Sequence, residues 1–103
     1  MMVESEPPRA VVEQLANLFH RNGYVRTLNP KRRAAESQNY KKGDEVRLVA
    51  KSSAELREIR RLLRAAAFDP GRPFRKGTQW VQPVYGRAVM DRFLNLIRKS
   101  DKA

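Results

Sequence analysis

The sequence contains no cysteine and a single histidine, His20. The lack of cysteine excludes disulfide bonds and thiolate metal ligands, and one histidine excludes a zinc site built from several imidazoles. A chain without cysteine also suits a reducing compartment. We therefore expect a cytoplasmic protein, associated with the nucleoid if its source is bacterial and nuclear if its source is eukaryotic.

Long hydrophobic runs are also missing. No apolar stretch is long enough to span a bilayer, and Met1-Met2-Val3-Glu4 does not begin a signal peptide. The basic residues are spread over predicted strands and loops, whereas a helix that lies on a membrane surface carries them along one face. We therefore expect no membrane partner.

Acidic residues are few, since 11 Asp and Glu stand against 22 Lys and Arg and leave a net charge of +11. A chain of 103 residues suits one domain, residues 1–103, with one modest core. The positive field of such a small domain attracts polyanions. Nucleic acid is therefore the expected partner, and the alternative is a basic protein that is merely soluble or associates with ribosomes.

Patterns that carry catalysis are missing as well. The chain has no candidate Ser-His-Asp set, no glycine-rich phosphate loop and no pair of carboxylates at a useful spacing. His20 has no acid near it in the sequence, so we expect a surface residue rather than a general base. We expect no catalytic residue, no metal site and no cofactor.

Hydrophobic spacing predicts three helices. The first follows Pro7-Pro8 and ends at Gly23, which is expected to adopt a left-handed C-cap. The second covers residues 52–66 because Ser52 and Glu55 have the spacing of a capping box. The third follows Gly86. The second helix also carries an arginine stripe that is expected to face solvent, formed by Arg57, Arg60, Arg61 and Arg64. Residues 1–6 are expected to be a disordered tail, and residues 99–103 a frayed basic tail.

Four strands are predicted, at residues 24–28, 44–51, 73–76 and 78–85. The last two form a hairpin that turns near Lys76-Gly77. Pro83 lacks a backbone N–H, which indicates that the last strand lies at a sheet edge or ends there. Alternation predicts that Val46, Leu48 and Ala50 share one face of their strand. On the last strand Trp80, Gln82 and Val84 share one face and Gln79, Val81 and Tyr85 share the other, and the pattern leaves open which of the two is buried.

The order of these elements is αββαββα, which places the chain in the α+β class. Three amphipathic helices cover one face of a four-stranded antiparallel sheet and leave the other face open. An open basic face is a candidate surface for nucleic acid. The main alternative is a ferredoxin-like module that binds RNA, although its sheet would lack the aromatic pattern of RNA-recognition motifs.

One stretch, Leu15-Ala16-Asn17-Leu18-Phe19-His20-Arg21-Asn22-Gly23, resembles the signature of the LAGLIDADG homing-endonuclease family. The identical letters are Leu15, Ala16, Leu18 and Gly23, and Phe19 replaces isoleucine. The remaining positions differ: Asn17 replaces the first glycine, His20 the first aspartate, Arg21 the second alanine and Asn22 the last aspartate. The resemblance covers about residues 10–98 and includes a final hairpin similar to Lys76-Gly77-Thr78-Gln79-Trp80-Val81-Gln82-Pro83-Val84-Tyr85-Gly86.

The resemblance implies a fold that holds duplex DNA but has lost its cutting group. In that family the last aspartate of the signature holds the catalytic metal, and the amide of Asn22 brings no charge. A single unit of this fold implies a homodimer. The alternative is an active endonuclease with a relocated acidic ligand at Asp44 or Glu45, and only this alternative requires Mg²⁺.

The residues expected to contact DNA lie on strands and hairpin loops that enter the major groove in that family. They are Arg26, Lys31, Arg32, Arg33, Lys41, Lys42, Arg47, Lys51, Arg75, Lys76 and Gln79. Base edges are expected to be read by Gln38, Asn39, Gln79, Gln82 and Arg47. The expected dimer interface is Leu15, Ala16, Leu18 and Phe19, because the first helix has more apolar surface than one core contact needs. RNA is the alternative ligand.

Overall fold

The computed structural model describes residues 7–27 and 44–102 of the chain. In these residues the elements are α1 (Arg9–Asn22), β1 (Tyr24–Arg26), β2 (Glu45–Ala50), α2 (Ser53–Ala65), β3 (Phe74–Lys76), β4 (Gln79–Tyr85) and α3 (Arg87–Lys102). The predicted order αββαββα is confirmed. None of the helices in this part of the chain is long and apolar enough to cross a membrane.

The four strands form one antiparallel sheet in the order β1-β2-β4-β3. Tyr24 of β1 lies opposite Arg47 of β2, which in turn lies opposite Pro83 of β4. On the other side of β4, Phe74 of β3 lies opposite Val81. The α+β class and the four-stranded antiparallel sheet are therefore confirmed.

The hydrophobic core lies between the three helices and one face of the sheet. The sheet contributes Val46, Leu48 and Ala50 from β2, as the alternation of the sequence predicts. Phe93 of α3 lies at the centre of the aromatic contacts, since its ring meets those of Phe19 and Phe68 edge to face at 5.7 and 5.5 Å. All three helices therefore pack on the same side of the sheet.

The first helix ends differently from the expectation. Gly23 has φ −80° and ψ 161°, which is extended backbone and not a left-handed cap. A Cβ atom at Gly23 would lie 2.7 Å from the ring of Phe19 and 2.8 Å from its Cα. Glycine is needed here because the chain turns directly from α1 into β1 against the preceding helical turn, and no positive φ is involved.

The second helix begins as predicted, since the backbone N–H of Glu55 donates to Ser52 Oγ at 3.1 Å. The carboxylate of Glu55 accepts from the backbone N–H of Lys51 at 2.8 Å. In an ordinary capping box the donor would be the N–H of the N-cap residue, Ser52. The third helix continues to Lys102, so the backbone of residues 99–102 is helical where a frayed tail was expected. Residues 1–6 lie outside the described part.

The prediction that Pro83 places its strand at an edge is wrong, because β4 lies between β2 and β3. The carbonyl of Pro83 accepts from Gly71 N at 2.9 Å, on the side of β3. In an antiparallel ladder the N–H and C=O of one residue point to the same neighbour. The proline nitrogen therefore faces a position where β3 has already ended, and no ladder hydrogen bond to β2 is lost.

Candidate nucleic-acid interface

The face of the sheet opposite the helices, called the outer face below, mixes basic, aromatic and apolar side chains. Strand alternation and register assign to it Tyr24, Arg26, Glu45, Arg47, Val49, Phe74, Lys76, Gln79, Val81, Pro83 and Tyr85. Val49 and Val81 are buried but do not belong to the core cluster under the helices, which agrees with this assignment. Within the described residues, no helix covers the outer face.

The centre of the outer face is nevertheless buried. Glu45 is only 1% exposed, although it belongs to a strand face that was expected to be open. Long side chains from both edge strands reach across the sheet, and the ammonium of Lys76 on β3 lies 5.8 Å from the ring centroid of Tyr24 on β1. The positions open to a ligand are therefore at the margins of the outer face.

A buried ion pair holds Arg47 in place. Its Nε and Nη2 atoms both lie 2.5 Å from Glu45 Oε2, and Nη1 donates to the Tyr24 hydroxyl at 3.4 Å. Burial opposes the charged form of Arg47, but the hydrogen bond to Tyr24 and the charge of Glu45 outweigh it and raise the pKa of Arg47. Arg47 was expected to read bases, but its guanidinium is engaged inside the protein.

Two aromatic rings flank this guanidinium. The Cζ atom of Arg47 lies 5.3 Å from the ring centroid of Phe74 and 5.9 Å from that of Tyr24. With Lys76, these residues form what we call the aromatic–cation cluster: Tyr24, Arg47, Phe74 and Lys76. The cluster joins the two edge strands of the sheet through a central arginine.

The other predicted DNA contacts divide into three groups. Arg26, Lys76 and Gln79 are exposed on the outer face, and Lys51 is exposed just after β2. Arg75 is exposed on the opposite side of β3, where its guanidinium lies 5.1 Å from the Trp80 ring centroid. A further group lies outside the described residues and comprises Lys31, Arg32, Arg33, Lys41 and Lys42, together with Gln38 and Asn39.

The prediction that Gln82 reads base edges is wrong. Gln82 is fully buried on the helix side of β4. Its amide nitrogen donates to the carbonyls of Gly71 and Pro83 at 2.7 and 2.8 Å, and its oxygen accepts from Arg60 at 2.7 Å. Arg60 was expected to face solvent, but it is half-buried because it pairs with this amide and with the carbonyl of Gly71.

The predicted dimer residues lie largely in the chain's own core. Leu15 and Ala16 are buried there, and Leu18 and Phe19 are half-buried against the same cluster. The broad apolar stripe of α1 is thus used by contacts with the sheet and the other two helices. Of the four predicted residues, Leu18 and Phe19 are the two that keep partly exposed surface for a partner.

The acids proposed as relocated metal ligands do not approach Asn22. Tyr24, two residues after Asn22, lies opposite Arg47, and Arg26 lies opposite Glu45, so Glu45 and the preceding Asp44 lie toward the end of β1 that is away from α1. Near the end of α1, Arg21 donates to the Val49 carbonyl at 3.4 Å. The acidic residue close to the end of α1 is Glu55, whose Oε1 lies 2.8 Å from Nη2 of Arg21.

No three Asp, Glu or His side chains within residues 7–27 and 44–102 come together in a way that could hold a metal ion. His20 is exposed, and its ring lies 5.9 Å from that of its neighbour Phe19. A surface position for His20 is what the sequence predicts.

Comparisons of the chain with known protein families, with curated proteins and with solved structures give no match. The resemblance to LAGLIDADG endonucleases therefore stays a prediction.

Two features of this face were missed by reasoning from the sequence. The first is the pairing of Glu45 with Arg47, although residues two apart on a strand share a face and the spacing was visible. The second is the exposed ring of Phe74, because a three-residue strand carries too little pattern to assign a face.

Proposed function

We propose that this protein binds duplex DNA without cutting it, through the exposed basic and polar residues of the outer face. The observation that carries the proposal is the strong positive charge of the chain, +11, combined with a sheet whose three helices all lie on the opposite side. Arg26, Lys76 and Gln79 are exposed on the outer face and are available to phosphates and base edges.

The β3–β4 hairpin is the element best suited to enter a groove. Its turn begins at Gly77, whose φ of 64° is a conformation that glycine adopts without strain. Lys76 and Gln79 lie opposite each other at this tip and share the outer face. A two-stranded ribbon fits the major groove of B-DNA, so lysine would bind phosphate while glutamine reads an adenine edge.

The absence of cutting is proposed from the residues at the end of α1. Asn22 carries no charge where the resembled family has a metal-binding aspartate, and Asp44 lies at the far end of β2. The nearby carboxylate of Glu55 is neutralised by Arg21, whose hydrogen bond lowers the pKa of Glu55 against the opposing effect of burial. A carboxylate held by arginine is a poor ligand for Mg²⁺.

An active endonuclease is the alternative and requires a different metal site. A nicking assay on supercoiled plasmid with Mg²⁺ separates the two functions. We expect no nicking above the background of a buffer control. Nicking that EDTA abolishes would support the endonuclease.

The homodimer and the compartment belong to the same proposal. One short sheet covers only part of a DNA site, so two copies related by a two-fold axis would bind a roughly palindromic sequence. A DNA-binding protein would act in the cytoplasm of a bacterium, at the nucleoid, or in a eukaryotic nucleus.

The test of DNA binding compares charge removal on the two sides of the molecule. The variant Arg26→Gln/Lys76→Gln removes two exposed charges from the outer face, and Arg57→Gln/Arg64→Gln removes two exposed charges from α2. We expect the first pair to weaken duplex binding and to reduce the slope of log K against log salt by about 2, since each phosphate contact contributes about 1. The second pair is the control with equal net charge.

Equal losses of affinity and slope from the two double variants would contradict the outer face as the binding surface. No measurable affinity of the unmodified protein for duplex DNA at low salt would contradict the proposed function itself.

A further inference from the structure

The ring of Phe74 is exposed on a surface that is otherwise basic. Phe74 and Val25 are the exposed large hydrophobic residues within the described part of the chain, at 36% and 38%. They lie on opposite faces of the sheet, Phe74 on the outer face and Val25 on the helix side. An exposed phenylalanine beside Lys76 and Arg47 offers an aromatic surface inside a cationic field.

Phe74 is also held in a defined position. Arg47 lies against its ring at 5.3 Å, and Arg47 is itself fixed by Glu45, whose side chain is 2% exposed. The other oxygen of that carboxylate, Oε1, is buried and has no hydrogen-bond partner. A buried carboxylate therefore holds the guanidinium that packs on Phe74, and about a third of Phe74 remains exposed to solvent.

We propose that the aromatic–cation cluster binds an unpaired nucleobase, which stacks on the exposed side of Phe74. This inference rests on the proposed function, because it concerns the same face and the same class of ligand. Inside a uniform duplex every base is covered by its neighbours, so an aromatic ring finds no free base face to stack on. The cluster therefore favours single strands and duplexes that contain unpaired bases.

Charge argues for a nucleic acid over a second copy of this chain as the occupant. Two copies at +11 each repel one another, and Lys76 places a positive charge in the cluster, whereas the charge of Arg47 is paired with Glu45. The phosphates that flank an unpaired base have the opposite sign and would lie near Lys76.

The experiment measures binding of three labelled DNAs of one sequence by fluorescence anisotropy: a single strand, a uniform duplex and a duplex with a central unpaired loop. Phe74→Leu keeps an apolar side chain and removes the ring. Since stacking on an aromatic ring contributes about 1–3 kcal/mol per base, we expect this variant to weaken binding of the single strand and the looped duplex by roughly 5- to 150-fold. Binding of the uniform duplex should change by less than about 2-fold.

Phe74→Tyr and Val25→Ala are the controls. Phe74→Tyr retains a ring and should keep the preference for the single strand and the looped duplex that Phe74→Leu loses. Val25→Ala removes the other exposed apolar side chain, on the opposite face, and should change none of the three affinities.

The inference is overturned if Phe74→Leu leaves single-strand binding unchanged, or if it weakens all three DNAs equally. Should Phe74→Leu fail to fold, the affinities of the unmodified protein for the looped and the uniform duplex are compared instead. Equal affinities contradict a site for an unpaired base. Binding of the duplex alone would overturn this inference and leave the proposed function standing. No binding of any DNA would overturn both.

Discussion

Gln82 is a polar residue at the centre of the sheet, and both the nitrogen and the oxygen of its side-chain amide have hydrogen-bond partners. Both hydrogens of its amide group are donated to carbonyls, and its oxygen accepts from Arg60. Gly71 is the common partner, since its carbonyl accepts from both side chains and its N–H donates to Pro83. A Cβ at Gly71 would lie 2.4 Å from the ring of Tyr85, so this strand-like approach requires glycine.

Removing Arg60 should destabilise the fold through this buried amide. In Arg60→Met the oxygen of Gln82 loses its donor, and a buried unpaired acceptor costs about 1–3 kcal/mol. Arg57→Met is the matched control on the same helix, at an exposed position, with an expected change within about 0.5 kcal/mol. Urea unfolding followed by circular dichroism measures both. A similar small change in the two variants would show that water replaces the arginine.

The ion pair between Arg21 and Glu55 predicts a pH dependence. The hydrogen bond from Arg21 lowers the pKa of Glu55 in the folded state, while burial opposes this shift. A lowered folded-state pKa means that the pair stabilises the protein above the ordinary carboxyl pKa. This contribution is lost as the pH falls through the folded-state value.

We expect Glu55→Gln to lower the free energy of unfolding at pH 7 by roughly 0.2–1 kcal/mol, because the pair is partly exposed. The difference between the variant and the unmodified protein should disappear as the pH falls through the folded-state pKa of Glu55. Urea titrations at pH 7 and at a series of lower pH values test this, with Glu58→Gln as a control that changes less. A deficit that persists at the lowest pH would assign the loss to the Lys51 N–H hydrogen bond instead.

At the scale of elements, the C-terminal end of α2 depends on α3. Ala67 has φ 64°, the N–H of Phe68 donates to Leu63 O at 2.8 Å, and the N–H of Ala67 donates to Arg64 O at 2.9 Å, which together form a Schellman motif. Arg92 of α3 donates to the carbonyls of Ala66 and Ala67 at 3.1 and 2.6 Å. Its guanidinium lies 3.8 Å from the ring centroid of Phe68, so one side chain satisfies the helix end and packs on the core.

Ala67→Gly should stabilise the protein. Alanine in the left-handed region costs about 1–2 kcal/mol, and the greater chain entropy of glycine cancels about 0.5–1 kcal/mol of the gain. The expected net increase is about 0.5–1 kcal/mol in the free energy of unfolding, measured by urea titration. Ala65→Gly, two residues earlier and helical, is the control and should lose up to about 1 kcal/mol. A loss of stability in Ala67→Gly would show that its Cβ makes a needed contact.

At the scale of the whole molecule, two features limit self-association: the positive charge, and the packing of α1 into the chain's own core. Leu15 and Ala16 pack inside the chain's own core, so among the four residues predicted for a dimer only Leu18 and Phe19 keep partly exposed surface. Two copies repel each other by their charge of +11. DNA reduces that repulsion, so we expect the protein to dimerise when it is bound to DNA and to be monomeric in free solution.

Sedimentation velocity should therefore show a monomer of the free protein at low salt and two copies on a duplex of two helical turns. Leu18→Ser should reduce this second binding event and leave binding of the first copy unchanged. One copy per duplex at saturation would contradict the dimer, and a stable dimer without DNA would contradict the role given to charge.

Much of the fold follows from local patterns in the sequence. The capping pair Ser52 and Glu55, the alternation of β2 and the turn at Gly77 each act over a few residues, so they predict elements, strand faces and the hairpin. Local patterns carry less information on backbone geometry at junctions. For this reason Gly23 was assigned the wrong conformation and Pro83 the wrong position in the sheet.

The sequence by itself determined the αββαββα order, the shared face of Val46, Leu48 and Ala50 on β2 and the strong positive charge. Only the tertiary structure decided which polar residues remain available to a ligand. From the sequence, Gln82, Arg60 and Arg47 look like surface residues. In the folded chain each side chain is at least partly buried, and each bonds to a side chain that the fold places next to it. The physical reason is that burial of a polar side chain is costly unless hydrogen-bond partners surround it, and those partners come together only in the folded chain.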